Sequence, residues 1–150
     1  MNTNFRALFK TRREQAASES ALQPGDAFPL AKLGPSVSVA GDRYMVLFIS
    51  LSCRDCVELL THLYILRHLN RRLVLVTDGT AEENHVFTEH FQFPFEVAGL
   101  PYSAFHDRFG IAVTPCAFLV EHHVVSRIGS PHTKAELIEF WSEKGEAASP

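Results

Sequence analysis

Three cysteines among 150 residues are too few, and too odd in number, to staple a fold together, and a domain of this size buries enough apolar surface to stand without staples. What the cysteines do must depend on where they stand. Long apolar runs are missing as well: the longest is about seven or eight residues, well short of the roughly 20 that cross a bilayer. No apolar signal-peptide core follows the basic residues near the start, so the chain as written reads as soluble, with no transmembrane segment. Neither charge sign dominates. Fourteen Lys and Arg stand against seventeen Asp and Glu, a net charge of -3 with both signs scattered, which leaves no electrostatic footprint for nucleic acid or an anionic membrane. With 46% hydrophobic and 21% charged residues and no internal repeat, the composition is that of one globular domain.

Residues 1–23 are polar, with few large apolar side chains after Phe9, and read as a loose arm or a surface helix. A folded domain is expected over 24–144 and a frayed tail over 145–150. Pro24-Gly25-Asp26 is a turn signal, and Val37 and Val39 suggest a short strand ending at Gly41-Asp42. Residues 44–50 (YMVLFIS) are continuously apolar and β-rich, the pattern of a strand buried on both faces. Between 57 and 69, Leu59, Leu60, Leu63, Leu66 and Leu69 recur at helical spacing and predict one amphipathic helix ending near Asn70. LVLV at 73–76 reads as a second buried strand, with Thr80 or Asp78 capping a helix that runs to Phe91. There follow a short strand at 95–98, a helix over 102–109 closed by Gly110, and a hairpin of 116–121 with 124–128 turning at His122-His123. A last helix over 133–144 carries a capping box of Thr133 and Glu136, with Leu137, Ile138, Phe140 and Trp141 facing the core. This order predicts an α/β fold with a central mixed sheet and helices on both faces.

Cys53 and Cys56 stand where the first buried strand meets a helix. The free N–H groups and dipole of a helix N-terminus stabilise a negative sulfur, so this placement favours a nucleophilic thiolate at Cys53. Arg54 adds to that effect and Asp55 opposes it, which makes the dipeptide the tuning element of the pair. Cys56, one turn on and less exposed, can attack a mixed disulfide formed at Cys53 and release product. Two small core residues, or two zinc ligands, are the alternatives for a bare C-x-x-C. A structural zinc site needs a second tight pair of ligands, and Cys116 stands alone. His62, His68, His85 and His90 do not fall at the i, i+4 spacing of a helical metal pair. No metal and no cofactor is expected. Pro115, just before a buried strand, is either an ordinary strand-start proline or one in a special, often cis, conformation that shapes a substrate groove.

Together VLFIS-x-x-C-x-x-C, LVLVTDG and TP-x-AFLV, followed by Gly129, resemble the thioredoxin superfamily. Within it they resemble the TlpA/ResA-type thiol-disulfide oxidoreductases, and among those the MauD-like proteins of methylamine dehydrogenase maturation. The resemblance spans residues 24–141 or so. It implies a thioredoxin fold, a nucleophilic Cys53, a resolving Cys56 and a cis Pro115 facing them, with Thr114 offering backbone hydrogen bonds to an extended substrate segment. Protein thiols and disulfides are the implied substrates, with a redox donor or acceptor that the residues do not identify. The departures are informative too. Thioredoxins carry a buried Asp six residues before the first cysteine, where this chain has Leu47. TlpA/ResA-like proteins carry Pro before the second cysteine and Glu three residues after it, where this chain has Asp55 and Leu59. Proton transfer at Cys56 then lacks its usual carboxylate, and Glu58 sits one residue off. Cys116 reads as a small buried residue, with a regulatory or mixed disulfide as the alternative.

Two other functions match parts of the pattern. Ser50-Leu51-Ser52-Cys53 fits the Ser/Thr-x-x-Cys of peroxiredoxin-like thiol peroxidases, although Val46 stands where their proline falls. A thioredoxin-fold binding or chaperone module would hold a partner or a copper ion on the same dithiol without turnover. Exchange needs both cysteines, whereas peroxide reduction begins with Cys53 alone. Whether exchange runs as reduction, oxidation or isomerisation turns on the potential of the pair against its compartment. As written, the chain reads as cytoplasmic; MauD-like proteins carry an N-terminal anchor, and a removed leader or anchor would make this one periplasmic or otherwise extracytoplasmic.

Overall fold

A strand buried on both faces has to sit in the middle of a sheet, and the apolar run at 44–50 does so. The computed structural model describes residues 21–147, with side chains as far as Ser142. In it β1 (Arg43–Ile49) is flanked on one side by β2 (Leu73–Thr77) and then β3 (Glu96–Gly99), both parallel to their neighbours. On the other side lie β4 (Cys116–Glu121) and β5 (Val124–Gly129), both antiparallel to theirs. The sheet order is therefore β3-β2-β1-β4-β5.

Successive side chains of β1 feed two different cores. Met45, Leu47 and Ile49 join a cluster with Leu59, Leu63, Leu66, Leu137, Phe140 and Trp141, while Tyr44, Val46 and Phe48 join Phe28, Phe105, Phe109 and Phe118. Each fully buried large side chain contributes about 2 kcal/mol of transfer free energy. The first face is covered by α1 (Arg54–Leu60), a 3₁₀ segment (Leu63–Arg72) and α4 (Lys134–Ala147), with Phe87 and Phe91 of α2 (Ala81–Phe91) packed at its margin. The second is covered by α3 (Tyr102–Phe109) and the segment carrying Phe28 and Leu33. This is the mixed α/β sheet with helices on both faces that the sequence predicts.

The stops and starts follow local chemistry. Thr80 caps α2 with a full capping box: its hydroxyl accepts the Glu83 N–H at 3.1 Å, and the Glu83 carboxylate accepts the Thr80 N–H at 2.8 Å. Gly110 closes α3 at φ 69°, a conformation that glycine adopts at no steric cost. His122 and His123 both have positive φ, as a two-residue hairpin turn that matches strand twist requires.

Several expectations need correction. Val37 and Val39 lie in irregular chain, half-buried against the second cluster rather than in a strand. The single helix expected over 57–69 is two pieces: α1 ends at Leu60, and a 3₁₀ segment follows until Asn70 adopts φ 51°. Ile138 is 49% exposed and belongs to no core. At the start of α4, Thr133 Oγ1 accepts the Glu136 N–H at 3.1 Å, but the Glu136 carboxylate returns to the N–H of His132 at 2.7 Å instead of that of Thr133. The α4 backbone also continues through residues 145–147, into the stretch expected to fray. Of the expected arm and tail, residues 1–20 and 148–150 lie outside the described residues. Leu22, at the end of the arm, packs against the second cluster.

Candidate active site

The loop from β1 into α1 is wound around Ser50. Its carbonyl accepts the Cys53 N–H at 3.1 Å, and its hydroxyl oxygen accepts the Ser52 N–H at 3.2 Å. The same hydroxyl donates to Asp78 Oδ2 at 2.6 Å, while the Leu51 N–H donates to Asp78 Oδ1 at 2.7 Å. Asp78 follows β2, so a carboxylate from the neighbouring strand holds the turn that presents Cys53. Charge-assisted bonds of this kind are roughly twice as strong as neutral ones. Asp78 does not cap α2; Thr80 does.

Cys53 is the N-cap residue of α1, half-buried, and its sulfur accepts the N–H of Cys56 at 3.3 Å. A backbone donor at a helix N-terminus therefore points at the sulfur from which a nucleophile would act. Cys56 lies beneath it with no solvent exposure. Burial, reinforced by the hydrogen bond with Cys53, pushes the Cys56 thiol up to about 12. All three cysteines are free thiols. Across from the pair, the Cys53 thiol lies 3.7 Å from the carbonyl oxygen of Thr114, and the Thr114-Pro115 peptide is cis. Ser50, Ser52, Cys53, Asp78, Tyr102 and Thr114 line a groove of about 410 Å³ on one side of the nucleophile. On the other side Arg54, Val57, Glu58 and Thr61 help to line one of about 440 Å³. Cys53 is thus approachable from both flanks, and Cys56 from neither.

The remaining residues singled out in the sequence divide. Arg54 is exposed beside Cys53, and exposed Asp55 turns to His132, whose Nδ1 lies 2.9 Å from its Oδ2. Leu47 and Leu59 are both fully buried in the first cluster, so apolar packing fills the two positions where the resembled families carry carboxylates. Cys116 lies in the second cluster, on the opposite face of the sheet from Cys56, and burial pushes its thiol up to about 12. Among the described residues no group of three His, Cys, Asp or Glu side chains could hold a metal ion, and no helix is long and apolar enough to cross a membrane. Asp78 and His132 escaped the sequence reading as site residues, and Ser50 entered it only through the peroxidase pattern. Asp78 stood in the LVLVTDG motif, but only as a candidate helix cap, and nothing local links it to a loop 27 residues earlier.

A cysteine pair at the N-terminus of the helix after the central strand of a β3-β2-β1-β4-β5 sheet, with a cis proline just before the adjoining antiparallel strand, makes this a thioredoxin-fold protein. Solved structures agree. The chain is similar to a candidate thiol:disulfide interchange protein DsbE from Chlorobium tepidum, with a TM-score of 0.62 and 18% identity over 85% of this chain and 99% of that one. It is similar to a thioredoxin-like protein in the oxidized form, with a TM-score of 0.63 and 12% identity over 85% and 98% of the two chains. StoA from Bacillus subtilis gives a TM-score of 0.53 and 16% identity over 68% and 83%. At such identities the likeness concerns the fold. No protein-family model matches the sequence, and no curated protein matches it either.

Proposed function

We propose that the protein is a thiol-disulfide oxidoreductase of the TlpA/ResA type, MauD-like in kind, exchanging disulfides with protein thiols through Cys53 and Cys56. The observation that carries this reading is the asymmetry of the pair. A half-buried Cys53 sulfur receives a helix N–H at 3.3 Å, and a fully buried Cys56 waits one turn below it. In the reducing direction the Cys53 thiolate attacks one sulfur of a substrate disulfide; the Cys53–substrate bond forms and the substrate S–S bond breaks, releasing a substrate thiolate. Cys56 then gives up its proton and attacks Cys53, forming the intramolecular disulfide and releasing the second substrate thiolate. Two electrons pass from the dithiol to the substrate. With Leu47 and Leu59 in place of carboxylates, the Cys56 proton goes to the departing thiolate or to water. The reverse sequence oxidises a substrate dithiol.

Thr114 lines the groove in which an extended substrate segment would lie, cis-Pro115 follows it in the chain and would help to seat that segment, and Arg54 and Asp55 tune the pair. The peroxidase reading is less well supported, because the Ser50 hydroxyl gives its proton to Asp78 instead of facing a bound peroxide. The test is equilibration in graded glutathione buffers, alkylation of free thiols and mass analysis of all three cysteines. A reversible two-electron transition confined to Cys53 and Cys56 is the expected result, and its midpoint against the compartment fixes the direction of exchange. A pair that never oxidises, or a disulfide that forms only through Cys116, would overturn the mechanism in favour of a binding module.

A further inference from the structure

A cavity of about 620 Å³ lies between α2 and β3, next to the groove at Cys53. Asp78 lines both, and Pro101 on the wall of the cavity is followed in the chain by Tyr102 on the wall of the groove. The residues they share or join follow the ends of β1, β2 and β3, three strands that run parallel. That carboxyl edge is where open α/β sheets hold their ligands. One face of α2 supplies a wall of the cavity through Ala81, Asn84, His85 and Thr88, at i, i+3, i+4 and i+7, while Val97 and Leu100 add apolar surface.

Asn84 is only 7% exposed, and the two ends of its amide are treated differently. Oδ1 accepts the hydroxyl proton of Thr77 at 2.5 Å, and Thr77 Oγ1 in turn accepts the Gly79 N–H at 3.0 Å. Thr77 is fully buried, out of reach of solvent, so this bond fixes which way the amide faces. The Nδ2 end has two hydrogens to give and no partner among the described residues. It lies over Gly99 on the cavity wall, where a Cβ would come within 2.9 Å of it. A buried donor without a partner is costly, and a partner for this one can come only from within the cavity. With the Asp78 carboxylate on the wall and the Glu83 carboxylate bonded to the N–H of Thr80 at the rim, an uncharged acceptor is favoured over an anion.

We infer that this cavity is a subsite for the chain flanking the substrate's reactive cysteine, and that the Asn84 amide there takes a neutral carbonyl, from a peptide bond or from an Asn or Gln side chain. The substrate class is then a peptide or protein disulfide with an extended, uncharged stretch beside the cysteine, in preference to a small disulfide that fills only the groove at Cys53. The inference rests on the exchange reading above.

The experiment is single turnover of the reduced protein with two disulfides, read as oxidation of the Cys53-Cys56 pair by acid quench, alkylation and mass. One is the symmetric disulfide of N-acetylcysteine amide. The other is that of a capped peptide whose cysteine has about four Gln and Val residues on each side, roughly 13 Å of extended chain per flank. Wild type is expected to prefer the peptide by about tenfold in rate constant, the scale of one hydrogen bond with its apolar contacts. Asn84→Ala removes the donor but also leaves the Thr77 hydroxyl without its acceptor, so circular dichroism checks its fold. Thr88→Trp fills the cavity from the helix and leaves that bond in place. In each folded variant the preference should shrink by about fivefold. A wild type with no preference, or a preference that survives in a folded variant, would overturn the inference while leaving the couple intact. A pair that neither disulfide oxidises fails differently, because it removes the exchange reading and this inference with it.

Discussion

Cys56 and Cys116 are both buried, and burial pushes both thiols up to about 12. They occupy opposite faces of the same sheet. Cys56 sits among leucines of the first cluster directly beneath a second cysteine, whereas Cys116, paired in register with Phe48, sits among phenylalanines of the second. Burial alone leaves a cysteine inert. What distinguishes Cys56 is a neighbour one helical turn away whose sulfur is half-open and already hydrogen-bonded by the Cys56 backbone. The face with the helix N-terminus holds the cysteine pair, and the aromatic face packs behind it.

The largest effect should come from breaking this contrast outright. Cys53→Ser or Cys56→Ser should abolish the reversible dithiol transition and reduce turnover of a protein disulfide by orders of magnitude, whereas Cys116→Ala should leave both unchanged. Insulin-disulfide reduction and mass-resolved alkylation read the outcome. Loss of activity in Cys116→Ala would mean that the two faces communicate.

Next in size is the anchor of the redox loop. Asp78→Ala strands the Ser50 hydroxyl and the Leu51 N–H, which now share one carboxylate at 2.6 and 2.7 Å. Stability should fall by about 2 kcal/mol, and the exchange rate should fall with it as Cys53 loses its fixed presentation. Asp78→Asn keeps an acceptor for Leu51 and a donor for Ser50, so it should cost less than half as much. Equal losses in the two variants, by urea unfolding, would show that charge rather than anchoring matters there.

Asp78 also marks where sequence reading stops. β1 and β2 were legible because unbroken apolar runs of that length suit only a strand buried twice over. Cys53 and Cys56 were legible because they stand where such a strand meets a helix. The 3₁₀ segment was legible in principle: Leu60, Leu63, Leu66 and Leu69 recur every third residue, which aligns them on one face at three residues per turn and lets them drift at 3.6. Val37 and Val39 alternate as a strand should, but the chain there meets the 3₁₀ segment through one backbone hydrogen bond, Ala40 N–H to Arg71 O at 3.0 Å, and the Arg71 side chain on Ser38, and no ladder forms among the described residues. Asp78 with Ser50 and His132 with Asp55 are tertiary contacts between short polar residues, and no local period announces them.

The two buried thiols should next show themselves at alkaline pH. Each folded-state value lies above the ordinary thiol value of 9.0. The unfolded chain therefore loses these protons first as pH rises. Their contribution to stability is complete below about pH 9 and is lost progressively toward about pH 12. For the reduced protein, Cys116→Ala should diminish the loss between about pH 8 and about pH 10 by about 1 kcal/mol. Denaturant unfolding at the two pH values measures it. An unchanged loss would mean that Cys116 is not the buried thiol described here.

The smallest change probes the aromatic face alone. Tyr44 is fully buried, its ring meets Phe28 edge-on with centroids 6.4 Å apart, and its hydroxyl has no hydrogen-bond partner among the described residues. A buried hydroxyl without a partner costs more than it returns. Tyr44→Phe removes that oxygen and keeps the ring, so it should raise stability by about 1 kcal/mol or slightly less. Because Tyr44 points away from Cys53 and Cys56, the glutathione equilibrium of the pair should not move. A stabilised variant with an unaltered redox midpoint would show that the second face can be rebuilt without touching the chemistry on the first. A destabilised one would mean that the hydroxyl is satisfied in solution, by a water held between the sheet and the N-terminal segment.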